Sequence, residues 1–224
     1  MSETNSLPEL APLIHQAALS PHLPIQIVDE ICSTCLRYNF SGFCTNLTRL
    51  SAARLKLGSP NQTKLIAVIA FPFGSIPNSH KQAEAEWAAE QGAEELDLVP
   101  DFLALSEGNT EKFSEEISSI CEKGLPVRVI LDIVNLSSKE LSLAVEASID
   151  AGVHGLQTGN GFGREVTVTD IRQLATLTRG RCEIKAVGGI KTVDHTFNLI
   201  EAGATKIGTS FGPQLMQSLL KSKQ

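Results

Sequence analysis

The chain has 224 residues, 42% hydrophobic and 20% charged, with a formal net charge of −6 and a sequence pI near 5.4. That suits one sizeable globular domain or two small ones, and the scattered basic residues argue against nucleic acid and anionic membrane as partners. No apolar run approaches the roughly 18 residues of a membrane span. The opening MSETNSLPEL has acidic residues and no apolar core, so it does not read as a signal peptide and a cytoplasmic location is expected.

The segment Leu10–Ala18 is apolar and ends at Ser20-Pro21, with a first short strand expected over Leu13–Gln16. Leu23–Tyr38 carries apolar residues at Ile25, Val28, Ile31, Cys32, Cys35 and Leu36, a helical spacing. Gly42–Thr45 is a brief strand, and Leu47–Leu57 returns to helix before Gly58-Ser59-Pro60. Leu65–Phe71, LIAVIAF, is a continuous apolar run, the pattern of a strand covered on both faces. Helix follows over Ser79–Gln91, strand over Glu94–Val99, helix over Asn109–Lys123 and strand over Val127–Ile133. Ser137 opens the next helix, with Glu140 at capping-box spacing, and that helix runs to Ala151-Gly152. The remaining strands are Gly155–Thr158, Ile184–Val187 and Lys206–Gly208. Helices over Thr169–Thr178 and Val193–Ala202 separate them, and a last helix closes the chain.

About eight strand–helix units with short connections predict a parallel sheet with crossover helices. That number favours a closed (β/α)8 TIM barrel, an α/β fold, as a single domain over residues 1–224. The length is just above the lower bound of roughly 200 residues for such a barrel. No GxGxxG follows the first strand, against a dinucleotide-binding sheet. Five cysteines is an odd number, and Cys32 and Cys35 form a CxxC inside a helical stretch with no second CxxC or histidine pair nearby. Buried thiols in a reducing cytosol are expected, with no metal and no cofactor.

A barrel of this kind carries its active site at the C-terminal ends of the strands. That rule selects His15, Cys44, Asn46, Asp97, Asp132, Gln157, Lys185 and the glycine loops after strands six to eight. Asp97 alternates with Leu96 and Leu98, so it faces the other way from them. An inward carboxylate must be paired or shifted in pKa, as a structural ion pair or as a proton-transfer group beside Lys185. Lys185 lies within an apolar run. A lysine there is a nucleophile, a fixed positive charge, or a stem with its head in water. The stretches Gly161-Phe162-Gly163, Gly188-Gly189 with Lys191, and Gly208-Thr209-Ser210 read as backbone cradles for one phosphate. His22, His80, His154 and His195 fall in contexts where solvated or capping roles are expected.

At these motifs the chain resembles the deoxyribose-phosphate aldolase family, class I aldolases on a (β/α)8 barrel. The matching text runs from Cys44-Thr45-Asn46 through VIAFPFG at Val68–Gly74 and EQGAEELDLV at Glu90–Val99 to TGNGFG, IKAVGGIKT and KIGTSFG. The family is a group of lyases. The resemblance implies cleavage of 2-deoxyribose 5-phosphate to acetaldehyde and glyceraldehyde 3-phosphate through a Schiff base on one lysine. A second lysine activates the first, and an aspartate with a water shuttles protons. Asp97 matches the aspartate and Lys185 the second lysine.

The nucleophile does not match. Where the family reads roughly Lys-Thr-Ser-Thr-Gly, this chain has Gln157-Thr158-Gly159-Asn160-Gly161, and an amide nitrogen cannot form an imine. The family's Asp-His-Thr on strand one is His15-Gln16-Ala17, and its Glu-Thr on strand five is Asp132-Ile133. Some members use a C-terminal tyrosine, whereas this chain has only Tyr38 and ends in Lys-Ser-Lys-Gln. A pocket that keeps the phosphate loops and loses the nucleophile predicts a pseudoenzyme. It would bind a phosphorylated sugar or aldehyde and serve as a sensor or partner-binding protein. The alternative is an active aldolase or lyase with Lys185 as a relocated nucleophile. A metal-dependent hydrolase on the same barrel lacks a ligand cluster. A homodimer is expected on the general habit of barrels this size.

Overall fold

Continuous apolar runs set the strands of this chain, and amphipathic stretches set the helices between them. The structure, a computed structural model, describes residues 9–60 and 62–221. The expectation for the opening segment therefore falls mostly on residues 1–8, outside the described residues. The strands are β1 Ile14–Ala18, β2 Gly42–Thr45, β3 Lys64–Ile69, β4 Glu95–Leu98, β5 Val127–Ile130, β6 Gly155–Gln157, β7 Glu183–Val187 and β8 Lys206–Thr209. The α-helices are α1 Ile25–Tyr38, α2 Leu50–Leu57, α3 Asn78–Glu90, α4 Phe102–Ser106, α5 Thr110–Cys121, α6 Ser138–Asp150, α7 Val168–Thr178, α8 Val193–Glu201 and α9 Gly212–Lys221.

Each strand pairs in parallel with the next, and β8 pairs back onto β1 through Ile14 with Ile207 and His15 with Gly208. The result is a closed eight-stranded barrel ringed by helices, as the sequence predicts. Strand β3 illustrates the cause. Only Lys64 is exposed, and its side chains alternate between two cores. Leu65, Ala67 and Ile69 pack outward under the helices, while Ile66 and Val68 join Cys44 in a small separate cluster.

Local signals fix the helix starts. The Ser137–Glu140 capping box is present, with Glu140 accepting from Ser137 N at 2.9 Å. Thr167 and Asp170 form a second box on α7, braced by Arg164 at 2.6 and 2.8 Å from Asp170. Lys81 of α3 is fully buried and reaches Glu116 at 2.7 Å, and Glu116 also accepts from Asp101 N at 2.8 Å. That pair ties α3, the chain after β4 and α5 together.

Several bounds differ from the sequence reading: β1, expected over Leu13–Gln16, runs Ile14–Ala18, and three other differences have a local cause. The helix α4 was not anticipated: its five residues are too few to show a period. Strand β3 stops at Ile69, because Ala70 turns with φ of +54°. Strand β5 stops at Ile130, although Leu131 N and Ile133 N still bond the carbonyls of Gln157 and Thr158 at 2.8 and 3.3 Å. The five cysteines are free thiols. Burial pushes the Cys32 thiol up to about 12 and Cys35 higher still. Neither is a thiolate at neutral pH. Among the described residues no cluster of His, Cys, Asp and Glu could hold a metal, and no helix is long and apolar enough to cross a membrane.

Candidate functional site

Closing the barrel brings the C-terminal ends of the strands around one cavity of about 680 Å³, a size common for small-molecule sites. Its floor is charged. Lys185 on β7 and Asp97 on β4 meet there, Nζ to Oδ2 at 2.5 Å, and they are 2% and 0% exposed. Arg128 on β5 donates to the other oxygen of Asp97 at 2.9 Å. The same guanidinium reaches Glu95 at 3.3 Å and Glu183 at 3.0 Å below it. The Cys44 thiol completes the shell, donating to Asp97 Oδ2 at 3.6 Å.

Burial alone would raise the Asp97 carboxyl. The Lys185 ammonium, and after it the Arg128 guanidinium, outweigh burial and hold it below the ordinary carboxylate range. The same burial pushes Cys44 up to about 12, so it donates as a neutral thiol. Asp97 is thus an ionised acceptor already engaged by two cations and a thiol.

Gln157 on β6 is the register partner of Lys185 and is 4% exposed. Its Nε2 donates to the Gly159 carbonyl at 2.7 Å, and its Oε1 is buried without a donor among the described residues. His15 on β1 is buried beside this floor with Nδ1 unpartnered. Desolvation lowers its pKa well below 6.5, and Lys185 and Arg128 lower it further. The ring is neutral at pH 7.

Above the floor, glycines shape the rim. Gly188 and Gly189 hold φ of +126° and +67°, a region costly for any side chain. At Gly208 the reason is space: a Cβ there would fall 2.6 Å from Val187 Cγ2 and 2.8 Å from Lys185 Cε. Gln16 braces the following turn, with Oε1 accepting from Gly212 N at 3.1 Å and Nε2 donating to Ser210 O at 3.0 Å. Lys191 Nζ stands 5.4 Å from the centre of the Phe211 ring. The opposite wall is apolar, with Leu19, Leu23, Phe71 and Phe162, the last two rings 5.8 Å apart. Arg49 fixes that wall by donating to the carbonyls of Ala18, Pro21 and Leu23.

The cavity brings together His15, Cys44, Asp97, Gln157, Gly161, Phe162, Lys185, Gly188, Gly189, Lys191, Gly208 and Ser210. Two expected pocket residues line depressions that adjoin the cavity. Asn46 follows the end of β2 and borders a neighbouring groove of about 380 Å³ beside Glu84 and Pro72. Asp132 lies two residues past β5, accepts from Asn135 at 2.9 Å and lines a small adjoining depression that shares Asn160, Gly161, Val187 and Gly188 with the cavity. His154 lies 3.3 Å from Glu183, and His195 reaches the Val166 carbonyl at 2.9 Å, both away from the cavity. Sequence reasoning missed Arg128, Phe71 and the bracing role of Gln16, and it put Phe162 at a phosphate, whereas Phe162 packs beside Phe71. Arg128 carried a signal, since an arginine inside VRVI is as costly as a lysine inside EIKAV.

No protein-family model matches the chain. A deoxyribose-phosphate aldolase from Trichormus variabilis is 41% identical over 209 residues, 93% of this chain and 92% of that protein. A solved structure described as QR15, an aldolase, superposes with a TM-score of 0.90 at 31% identity, covering 96% of this chain and 97% of the other. The deoxyribose phosphate aldolase of Aeropyrum pernix, described as a unique tetrameric structure, gives 0.85 at 30% identity over 96% and 92%. With that identity across nearly the full length of both sequences, on the same closed barrel, the chain belongs to the deoxyribose-phosphate aldolase family.

Proposed function

We propose that this member of the family binds a phosphorylated sugar or aldehyde without cleaving it, and acts as a sensor or through a protein partner. One observation carries the reading: neither nitrogen on the cavity floor is free to attack a carbonyl. Gln157 stands where the resemblance puts the nucleophilic lysine. Its amide lone pair is delocalised, and its Nε2 is committed to Gly159. Lys185 is hydrogen-bonded to Asp97, which Lys185 and then Arg128 keep ionised. A nucleophilic lysine needs its proton removed, usually with help from a second cation. Here an amide stands where the resemblance puts the other lysine, and the nearest cation, Arg128, is engaged by Asp97, Glu95 and Glu183. Binding is supported separately by the rim, where Gly161, Gly188, Gly189, Gly208 and Ser210 line the same cavity as Lys191. The five free thiols suit a reducing compartment, and we assign the protein to the cytoplasm on that ground.

The test is borohydride trapping read by intact mass, with acetaldehyde and separately with 2-deoxyribose 5-phosphate. The wild type should give no site-specific adduct while sugar phosphates still raise its melting temperature. Gln157→Lys should gain an adduct at the new lysine. A reduced adduct mapping to Lys185 in the wild type would overturn the reading and establish a relocated Schiff base.

A further inference from the structure

The cavity floor carries hydrogen-bonding capacity that the protein leaves unused. The Gly159 carbonyl can only accept, so its contact with Gln157 identifies the amide end that is nitrogen. The other end, Oε1, is buried and needs a donor. Lys185 spends one N–H on Asp97, and an ammonium has three. His15 offers a neutral ring with Nδ1 unpartnered. Leaving a buried polar atom unmatched costs about 1–3 kcal/mol, so the ligand's own chemistry at this point is constrained.

A carbonyl oxygen does not meet the constraint, because it accepts and has nothing to give Gln157. A phosphate dianion, the main form above its second pKa of about 6, fails in the same way. A hydroxyl meets it, donating to Gln157 Oε1 while accepting from Lys185 on the neighbouring strand. His15 can take either role. We infer that the floor reads a hydroxyl: the ligand is a phosphorylated polyol or ring-closed sugar with an O–H on the carbon that lies at Gln157, where a cleavable aldehyde carries its carbonyl. This rests on the sugar-phosphate reading above and narrows it. Two sources share the chemistry, an open-chain alditol phosphate and a cyclic hemiacetal, and the cavity of about 680 Å³ admits both.

Titration calorimetry on the full chain with two ligand pairs tests this. The open-chain pair is 2-deoxyribitol 5-phosphate and its 1-deoxy analogue. The ring pair is 2-deoxyribose 5-phosphate and its 1,4-anhydro analogue, which lacks the ring hydroxyl at that carbon. The hydroxyl-bearing member of at least one pair should bind about tenfold tighter or better, and the pair that shows the gap identifies the source. In Gln157→Met that gap should shrink to about twofold or less. Equal affinities within both pairs, or a gap that survives in Gln157→Met, would overturn the hydroxyl inference and leave sugar-phosphate binding standing. Absence of binding by all four ligands would remove the sugar-phosphate reading, and this inference with it. The wild-type comparison decides the matter even if the variant does not fold.

Discussion

His15 enters the barrel because Gly42 leaves room for it: a Cβ at Gly42 would sit 2.8 Å from the His15 ring. Burial and the cations Lys185, Arg128 and Lys206 all act in one direction on this imidazole, lowering its pKa in the folded state. The unfolded chain therefore binds the proton more readily. Stability linked to His15 is fully present above the ordinary value of 6.5 and is lost as pH falls below it. Urea unfolding between pH 7 and 5 should lose up to about 1.4 kcal/mol per pH unit through this one group. His15→Gln should remove that share of the slope; an unchanged slope would show that His15 is not its source. Lys185 and Asp97 were legible in the sequence because a charge inside an apolar strand has few places to go. Asp132 stands past the end of its strand because the apolar run VRVILDI outlasts the ladder, whose last residue is Ile130. Unpaired Gln157 Oε1 was beyond reach, since it depends on which way one amide turns.

Between elements, Gln16 does what a strand residue seldom does. From β1 it fastens the turn between β8 and α9, across the seam where the barrel closes. Gln16→Leu would leave Gly212 N and Ser210 O without their partner at a buried site. A loss of about 1–3 kcal/mol is expected, seen as a lower melting temperature, together with weaker binding of sugar phosphates at the rim that the turn forms. A variant as stable and as tight-binding as the wild type would show that the seam holds without this brace. Periodicity and apolar runs made nearly every strand and helix visible beforehand. The brace was not, because a contact spanning 196 positions of sequence has no local signature.

For the molecule as a whole, the barrel axis is a column of charge. Lys185 lies at the cavity floor, then Asp97, then Arg128, then Glu95 and Glu183 toward the opposite end. Arg128→Met would leave three carboxylates around one missing cation, with Asp97 still fully buried. Removing one partner of a buried pair typically costs about 3–5 kcal/mol. Denaturant titration should show that loss as a lower midpoint with an unchanged slope; a loss under about 1 kcal/mol would mean that the column is not what holds the axis. The closed barrel could be foreseen from eight strand–helix units, but the column could not, since it joins residues from β4, β5 and β7 that no spacing connects. Barrel interiors are usually layered with valine, isoleucine and leucine. Exposing apolar surface raises the heat capacity of unfolding and exposing polar surface lowers it. Charged groups also lose hydration free energy as temperature rises. A barrel threaded in part by ions where hydrocarbon would ordinarily lie therefore has a flatter dependence of stability on temperature than its size alone would give.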